Sequence, residues 1–237
     1  MLSVMGSRTI QWTLLVSAVL AGIPASAGTV ELYSNAGTGT NSVTGSNAAV
    51  IVSPVWAPGG PGYGWVSYNA GTGCNTFNPL TGRCTAGPEN PPGATEGGPP
   101  TATFYQTFTV TDASDTGTLN VWADDTASVW LDTGTVTSGT GTGGTEEFAL
   151  NWDPGSNCSA APISCLAGEN AVIPLDLTAG TYTLVINAYQ YVGGSPFGIM
   201  YDGVLTGSTG TVPEPASYLL MGLGLAGIGT LMRRKRA

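Results

Sequence analysis

Glycine and proline make up more than a fifth of this chain, with 36 glycines and 16 prolines among 237 residues. Both residue types interrupt regular structure, so long helices are disfavoured over most of the sequence. Short runs rich in Val, Thr, Tyr and Trp lie between them and are bounded by Gly, Pro, Asn or Asp. This pattern predicts many short strands joined by turns, which is typical of an all-β sandwich or jelly roll.

The charge pattern excludes several classes of function. Between Gly28 and Thr211 the chain has 14 acidic residues and one basic residue, Arg83, within a net charge of -9. Phosphate binding requires cations, so this region is not expected to bind nucleic acid. The chain has no histidine, and its only lysine is Lys235. Histidine-based triads, histidine-ligated metals and Schiff-base chemistry are therefore excluded.

The first 27 residues have the pattern of a secretory signal peptide. An apolar run from Trp12 to Ala21 is followed by Ala25 and Ala27, small residues that precede Gly28. Signal peptidase recognises small residues at this spacing, so we expect cleavage that leaves a mature chain beginning near Gly28. A first membrane helix is the alternative, but the apolar run is about half the ~20 residues that a spanning helix needs.

The last 26 residues divide into three parts. The first part is a short motif, Val212, Pro213, Glu214 and Pro215. It is followed by an apolar stretch, residues 216–232, and by a basic cluster of Arg233, Arg234, Lys235 and Arg236. At about 1.5 Å per residue the stretch gives about 25 Å of helix, enough for a thin bilayer. Basic residues stay cytoplasmic, and the export signal places the preceding chain outside. Both ends therefore predict the same topology.

This tail resembles the PEP-CTERM sorting signal, which has a Pro-Glu-Pro motif, a short membrane helix and a terminal Arg-rich cluster. Pro213, Glu214 and Pro215 match the motif, and the resemblance covers 212–237. It implies recognition by an exosortase, a membrane-embedded cysteine transpeptidase-like enzyme, in bacteria that make extracellular polysaccharide and biofilm. A plain C-terminal anchor is the alternative. Four glycines in the apolar stretch argue against it, because they weaken a helix that only had to anchor.

The exported body, residues 28–211, is long enough for one β-sandwich. Eight strands are predicted, at Ala48–Val55, Gly64–Tyr68, Ala102–Val110, Thr118–Ala123, Ala127–Asp132, Glu147–Trp152, Val172–Leu177 and Thr181–Tyr191. The stretches 70–100 and 134–145 are rich in Gly, Pro and Thr and are predicted as surface loops.

Alternation predicts that two successive strands form a hairpin with the loop Asp124-Asp125-Thr126. Pairing Ala123 with Ala127 places every aliphatic side chain on one face, which belongs to the core. Trp122 and Trp130 then lie on the opposite face. Either a loop covers them, which we favour, or they form an open platform on which sugars stack.

The body also resembles galactose-binding-like jelly rolls that are often found in front of PEP-CTERM tails. The segments that carry this resemblance are Gly64–Tyr68, Phe104–Val110, Val121–Asp125, Val129–Asp132, Leu177–Leu184 and Pro196–Ile199. The match spans most of 48–210 and implies a jelly-roll fold. Asp132-Thr133-Gly134 departs from the usual Asn-Gly of the family. The resemblance therefore implies the fold and no particular ligand.

Four cysteines fall into two close pairs, Cys74 with Cys84 and Cys158 with Cys165. Export favours disulfides, and the short spacing favours bridges within each pair among the three possible connectivities. A zinc site of four thiolates is the alternative, but the C-x2-C spacing of such sites is missing.

The densest acidic cluster is Asp124, Asp125 and Asp132. Oxygen ligands at a loop suit Ca²⁺, so these residues are candidate calcium ligands. The alternative, which we favour, is that aspartate caps a tight hairpin turn through its own hydrogen bonds. No other cofactor is expected.

Few residues suggest catalysis. Glu146 and Glu147 are adjacent, so on a strand they point to opposite faces and cannot form the pair that a glycosidase places about 5–10 Å apart. We therefore expect a non-enzymatic exported protein. Its precursor is anchored in the inner membrane, and exosortase processing leaves it at the cell surface or in the polysaccharide matrix. The alternatives are a carbohydrate-binding module that uses Trp122, Trp130 or the Asp124 loop and, less favoured, a polysaccharide-active enzyme.

Overall fold

The computed structural model describes residues 27–36, 39–80, 83–86, 91–141, 143–152, 163–191, 193 and 196–207. The predicted sorting tail lies outside these residues, as does the predicted signal peptide apart from its last residue. Within the described ranges, no helix has both the length and the apolar character needed to cross a membrane.

The described chain is built from strands. In chain order they are β1 (Thr29–Tyr33), β2 (Thr40–Asn41), β3 (Ala49–Val50), β4 (Val66–Ser67), β5 (Cys74–Asn78), β6 (Arg83–Ala86), β7 (Ala102–Val110), β8 (Asp115–Asp124), β9 (Thr126–Thr133), β10 (Thr145–Phe148), β11 (Ala171–Leu177), β12 (Gly180–Tyr189) and β13 (Gly198–Gly207). A single 3-10 turn, Ala70–Thr72, precedes β5.

Two antiparallel sheets face each other across a common core. One sheet has the order β11-β8-β13-β4-β3, with β1 also paired to β13, and the other has the order β10-β9-β12-β7-β2. Between β7 and β13 the chain crosses from one sheet to the other at every connection except that between β9 and β10. This is the connectivity of a jelly roll, so the predicted all-β, jelly-roll-like sandwich is confirmed.

The core is formed by the apolar side chains that alternate with polar ones along the strands. The inward side chains of β8 and β9 belong to one buried cluster; they are Leu119, Val121, Ala123, Ala127, Val129 and Leu131. β12 adds Leu184 and Ile186 to the same cluster, and Phe197 enters it from the start of the last strand. Burial of these apolar side chains, at roughly 25 cal/mol per Å², is the main force that joins the sheets.

The predicted hairpin between these two strands is wrong. β8 pairs with β11 and β13, whereas β9 pairs with β10 and β12, so Ala123 and Ala127 are not register partners. The chain instead turns a corner from one sheet to the other at Asp124 and Asp125. Both sheets of a sandwich turn their apolar side chains towards the core. Successive strands in opposite sheets therefore show the same apolar–polar alternation as the two strands of a hairpin.

Other strands were predicted with varying success. Ala102–Val110 agrees with β7 at both ends, whereas Ala48–Val55 holds only the two-residue β3. The stretch 70–100, predicted as a loop, contains the hairpin of β5 and β6. β13 was not predicted, although it lies inside its sheet and pairs with β1, β4 and β8. Its three glycines hide the alternation of its apolar residues.

The disulfide between Cys74 and Cys84 is confirmed, with their Cα atoms 5.2 Å apart. It joins β5 to β6 and closes the small hairpin. Cys165 is also disulfide-bonded, and its predicted partner, Cys158, lies outside the described residues.

Candidate functional site

The two tryptophans lie on the outer faces of opposite sheets, and Trp122 is the covered one. It stands opposite Met200 on the six-stranded sheet. A second apolar cluster, drawn largely from residues 51–65, packs over it. In that cluster the rings of Trp56 and Trp65 have centroids 4.3 Å apart. Trp122 therefore lies on β8 beneath this cluster and offers no open sugar platform.

Trp130 is half-buried on the outer face of the five-stranded sheet. Its register partners are Glu146 on β10 and Val185 on β12, so all three side chains form one row across the sheet. The indole Nε1 donates a hydrogen bond to the hydroxyl of Ser128 at 3.2 Å. This bond and the strand backbone fix the orientation of the ring.

The Trp130 ring lines an open groove of about 350 Å³, called here the Trp130 groove. The residues that line it are Gly97, Gly98, Pro99, Pro100, Ser128, Trp130, Thr140, Glu146, Leu150, Asn187 and Tyr189. Burial, and to a smaller extent the nearby charge of Glu146, raise the pKa of Tyr189, while a hydrogen bond with Ser128 lowers it. The Tyr189 phenol is therefore neutral at pH 7 and can donate or accept hydrogen bonds.

One wall of the groove is formed by Thr140 of the loop 134–141, which is tied to the sheet. The Thr183 hydroxyl donates to the carbonyl of Gly134 at 2.7 Å. The side-chain amide of Asn187 donates to the carbonyl of Thr140 at 2.7 Å. The described residues 134–141 and 143–144 form a loop as predicted, whereas Thr145, predicted in the same loop, begins β10. The two hydrogen bonds hold the loop across the outer face.

Gly141 lets this loop pass close to the strands. Its φ of +71° lies in the left-handed region, and a Cβ there would lie 2.9 Å from the Cβ of Trp130 and 3.0 Å from that of Val185. Only glycine combines this backbone conformation with this approach. The wall beside Trp130 is therefore fixed before any ligand arrives.

The three aspartates predicted as calcium ligands do not come together. Asp124 and Asp125 form the buried corner before β9, joined by a cis peptide bond. Asp132 lies near the other end of that strand, about 23 Å from Asp125 at about 3.3 Å per residue. Within the described part of the chain, no three His, Cys, Asp or Glu side chains are grouped to hold a metal ion.

Asp125 stabilises the corner by hydrogen bonds to residues that are distant in sequence. Its Oδ2 accepts a hydrogen bond from the backbone N–H of Tyr191 at 2.7 Å, and its own N–H donates to the carbonyl of Tyr189 at 3.0 Å. These bonds join the corner to the end of β12. In the predicted capping role, by contrast, the side chain would bond within a local hairpin turn.

Burial raises the pKa of Asp124 well above its usual range, and both the charge of Asp125 and a hydrogen bond with it add to this effect. A carboxyl whose pKa is raised on folding binds more protons in the native than in the unfolded state. Its contribution to stability is therefore full at low pH and is lost as pH rises above the unfolded value of about 3.9.

We expect Asp124→Asn to raise the melting temperature at pH 7 in the presence of EDTA. The amide is uncharged at every pH and keeps a hydrogen-bond donor for Asp125, so the cost of ionisation disappears. The gain should shrink towards zero as pH falls to about 4. Thermal unfolding measured from pH 4 to pH 8 tests this, with the same substitution at the exposed Asp176 as the control.

The same experiment repeated in millimolar Ca²⁺ tests the calcium hypothesis. If Ca²⁺ binds the Asp124–Asp125 corner, it raises the melting temperature of the wild type and the substitution removes that gain. A loss of stability in Asp124→Asn at pH 7 with EDTA present would contradict the assignment of Asp124 as a buried acid that resists ionisation.

The sequence pointed to Trp130 but not to the residues around it. Glu146 was placed just outside a predicted strand and now faces the groove from β10. Asn187 and Tyr189 alternate along a strand that was predicted, so a shared face was visible in the sequence. The identity of the neighbouring strand could not be predicted, because Ser128, which lies opposite Asn187, is 59 residues away in the sequence.

The fold and the groove define a β-sandwich with aromatic side chains on the outer face of one sheet. Residues 211–236 match the family model described as the PEP-CTERM protein-sorting motif. The chain therefore carries this sorting motif, as predicted from Pro213, Glu214 and Pro215. The motif implies an exported protein that passes the membrane and has an exosortase as its processing partner.

No curated protein matches the sequence. Among solved structures, the chain is similar to an exo-beta-1,3-galactanase variant from Phanerochaete chrysosporium, determined with beta-1,3-galactotriose, at 12% identity and a TM-score of 0.32. The alignment covers 77% of this chain and 29% of that one, so the chain spans less than a third of the enzyme's length. A likeness of this degree does not indicate a shared activity.

Proposed function

We propose that this protein is a non-enzymatic exported protein, processed by an exosortase and then associated with extracellular polysaccharide. The observation that carries the proposal is the sorting motif at 211–236 at the end of a chain that begins with an export-type segment. In this proposal the body lies outside, the apolar stretch spans the inner membrane and the basic cluster 233–236 stays in the cytoplasm, as expected for basic residues that follow a membrane segment. Processing then leaves the body at the surface or in the matrix.

The contacts of Gly28 support cleavage of the export signal before this residue. Its backbone N–H donates to Oδ2 of Asp112 at 2.7 Å, and its carbonyl accepts from Gly207 at 2.9 Å. Cleavage converts that N–H into an ammonium group, so that both donor and acceptor are charged and the hydrogen bond to the carboxylate becomes stronger. The first residue of the mature chain is thus anchored at the edge of the sandwich.

The groove supports binding rather than cleavage of sugars. Among the described residues that line it, Glu146 is the only carboxylate. A glycosidase needs two carboxyl groups about 5–10 Å apart across the scissile bond. The chain has no histidine that could replace one of them as the acid or base.

Cosedimentation tests this proposal. The full-length protein, purified from its host in mild detergent, is expected to sediment with the host's isolated extracellular polysaccharide. It should release no reducing sugar from that polymer over a day. Sedimentation equal to that of a detergent blank would contradict polysaccharide association, and a steady release of reducing ends would contradict the non-enzymatic role.

A further inference from the structure

We propose that the Trp130 groove is the polysaccharide site and that it takes an uncharged polymer, which stacks on Trp130 and runs over the ridge of Pro99 and Pro100. This inference rests on the proposed function and names its site and ligand class. It comes from three observations: a fixed aromatic ring on the outer face of the five-stranded sheet, depressions that adjoin its groove at Pro99 and Pro100, and a one-sided charge.

The aromatic ring is presented to solvent in a fixed pose. Trp130 is only half-buried, although most of its neighbours on the outer face are buried, including Ser128 and Asn187. Its indole N–H is held by Ser128, and Gly141 packs beside its Cβ. A large apolar ring held in this way is suited to the C–H face of a sugar, because little conformational entropy is lost on binding.

The depressions around Pro99 and Pro100 favour a polymer over a single sugar. These two prolines line the Trp130 groove and two further hollows of about 370 Å³ each. One of these hollows is also lined by Asn41 and Thr140, and the other by Tyr68. Because all three share the same ridge, they adjoin, and their combined extent exceeds the footprint of one sugar ring.

The charge of the face selects among polymers. Glu146 is the one charged residue among those that line the groove, and it stands beside Trp130 in register. The body around it has 14 acidic residues and one basic residue. A uronate or sulfated chain would be repelled by these charges. A neutral chain is not repelled, and its hydroxyl groups can donate hydrogen bonds to the Glu146 carboxylate.

Binding to purified polymers tests the inference. The full-length protein in mild detergent is titrated with a neutral β-glucan, a neutral galactan, dextran and alginate. The wild type is expected to bind at least one neutral polymer, with little dependence on salt, and not to bind alginate. Trp130→Ala should weaken that binding about tenfold, as expected for loss of an aromatic stacking contact, while Trp130→Phe keeps most of it.

Two controls separate binding from folding. Val172→Ala removes an exposed apolar side chain from the opposite sheet and should bind as the wild type does. Addition of the neutral polymer should quench or shift tryptophan fluorescence in the wild type, and this change should be much smaller in Trp130→Phe. Trp56, Trp65, Trp122 and Trp152 stay in place in both proteins and provide the background.

The outcomes distinguish the site from the wider proposal. If the wild type and Trp130→Ala bind a neutral polymer equally, the groove is not the site, although polysaccharide association stands. If the wild type binds alginate and no neutral polymer, the ligand class is wrong. If it binds no polymer, including the host polysaccharide, both the inference and the proposed association fail.

Discussion

Replacing Glu214 by alanine is expected to leave nearly all of the protein unprocessed in the inner membrane of an exosortase-bearing host. The substitution keeps the apolar stretch 216–232 and the basic cluster 233–236, so insertion and topology are unchanged. What it removes is the acidic side chain between two prolines that favour an extended backbone, the form in which an enzyme receives a peptide. Insertion and recognition are separate physical steps, and only recognition is lost.

Two further variants make this test specific. Ser217→Ala changes a small polar residue just past the motif and should be processed as the wild type is. Neutralising Arg233, Arg234, Lys235 and Arg236 removes the charges that keep the C-terminus cytoplasmic, so the tail should slip outward and the topology become mixed. If Glu214→Ala is instead released with the mass of the processed wild type, the motif is not read and the tail is an ordinary anchor.

Phe197→Ala is expected to cause the largest loss of stability among substitutions in the body. The Phe197 side chain is fully buried in the main core, and its ring lies 5.9 Å from that of Tyr68 between centroids. Removal of a buried phenylalanine side chain costs about 3–5 kcal/mol in lost transfer energy and residual cavity. At about 2–4 °C per kcal/mol for a domain of this size, the melting temperature should fall by at least about 6 °C.

Leu80→Ala is the matched control for the core substitution. Leu80 is 95% exposed near the small disulfide hairpin, so its truncation should change stability by no more than about 0.5 kcal/mol. Urea unfolding of the three proteins, followed by fluorescence, gives the free energies. Equal stability of Phe197→Ala and Leu80→Ala would contradict the core described for the sandwich.

The sequence predicted which faces of the strands are buried better than it predicted which strands pair. Val121 and Val129 were both assigned to the core from alternation, and both are fully buried. Their strands were nevertheless paired wrongly, since a period of two fixes a face and carries no information on the neighbouring strand. Pairing in this fold is long-range: β8 lies beside β11 and β13 rather than beside the strand that follows it.

Two strand regions escaped prediction for a compositional reason. β13 contains Gly198, Gly203 and Gly207, and glycine is depleted in strands. Gly203 is tolerated inside the sheet, where a Cβ would meet the carbonyl of Thr118 at 3.0 Å. The hairpin of β5 and β6 lies in a Gly- and Pro-rich stretch, and its disulfide could be predicted from cysteine spacing although its strands could not.

Of the residues that line the candidate site, only Trp130 could be predicted from the sequence. A tryptophan on the outward face of a strand signals either a covered loop or an open platform, and the sequence offers no means to distinguish Trp122 from Trp130. The distinction depends on residues 51–65, which pack over one of them, and on Gly141, which lets the loop 134–141 pass beside the other. Such tertiary coverage follows from the whole fold.

Exosortase processing is tested by the intact mass of the protein from hosts with and without the exosortase. An antibody to the body recovers the protein from membrane and matrix fractions, and each form is weighed. With the exosortase present, we expect a form that begins near Gly28, lacks the basic C-terminus and is recovered outside the inner membrane. Without the exosortase, the full tail should remain and the protein should stay in the inner membrane. The same mass and the same fraction in both hosts would contradict exosortase processing.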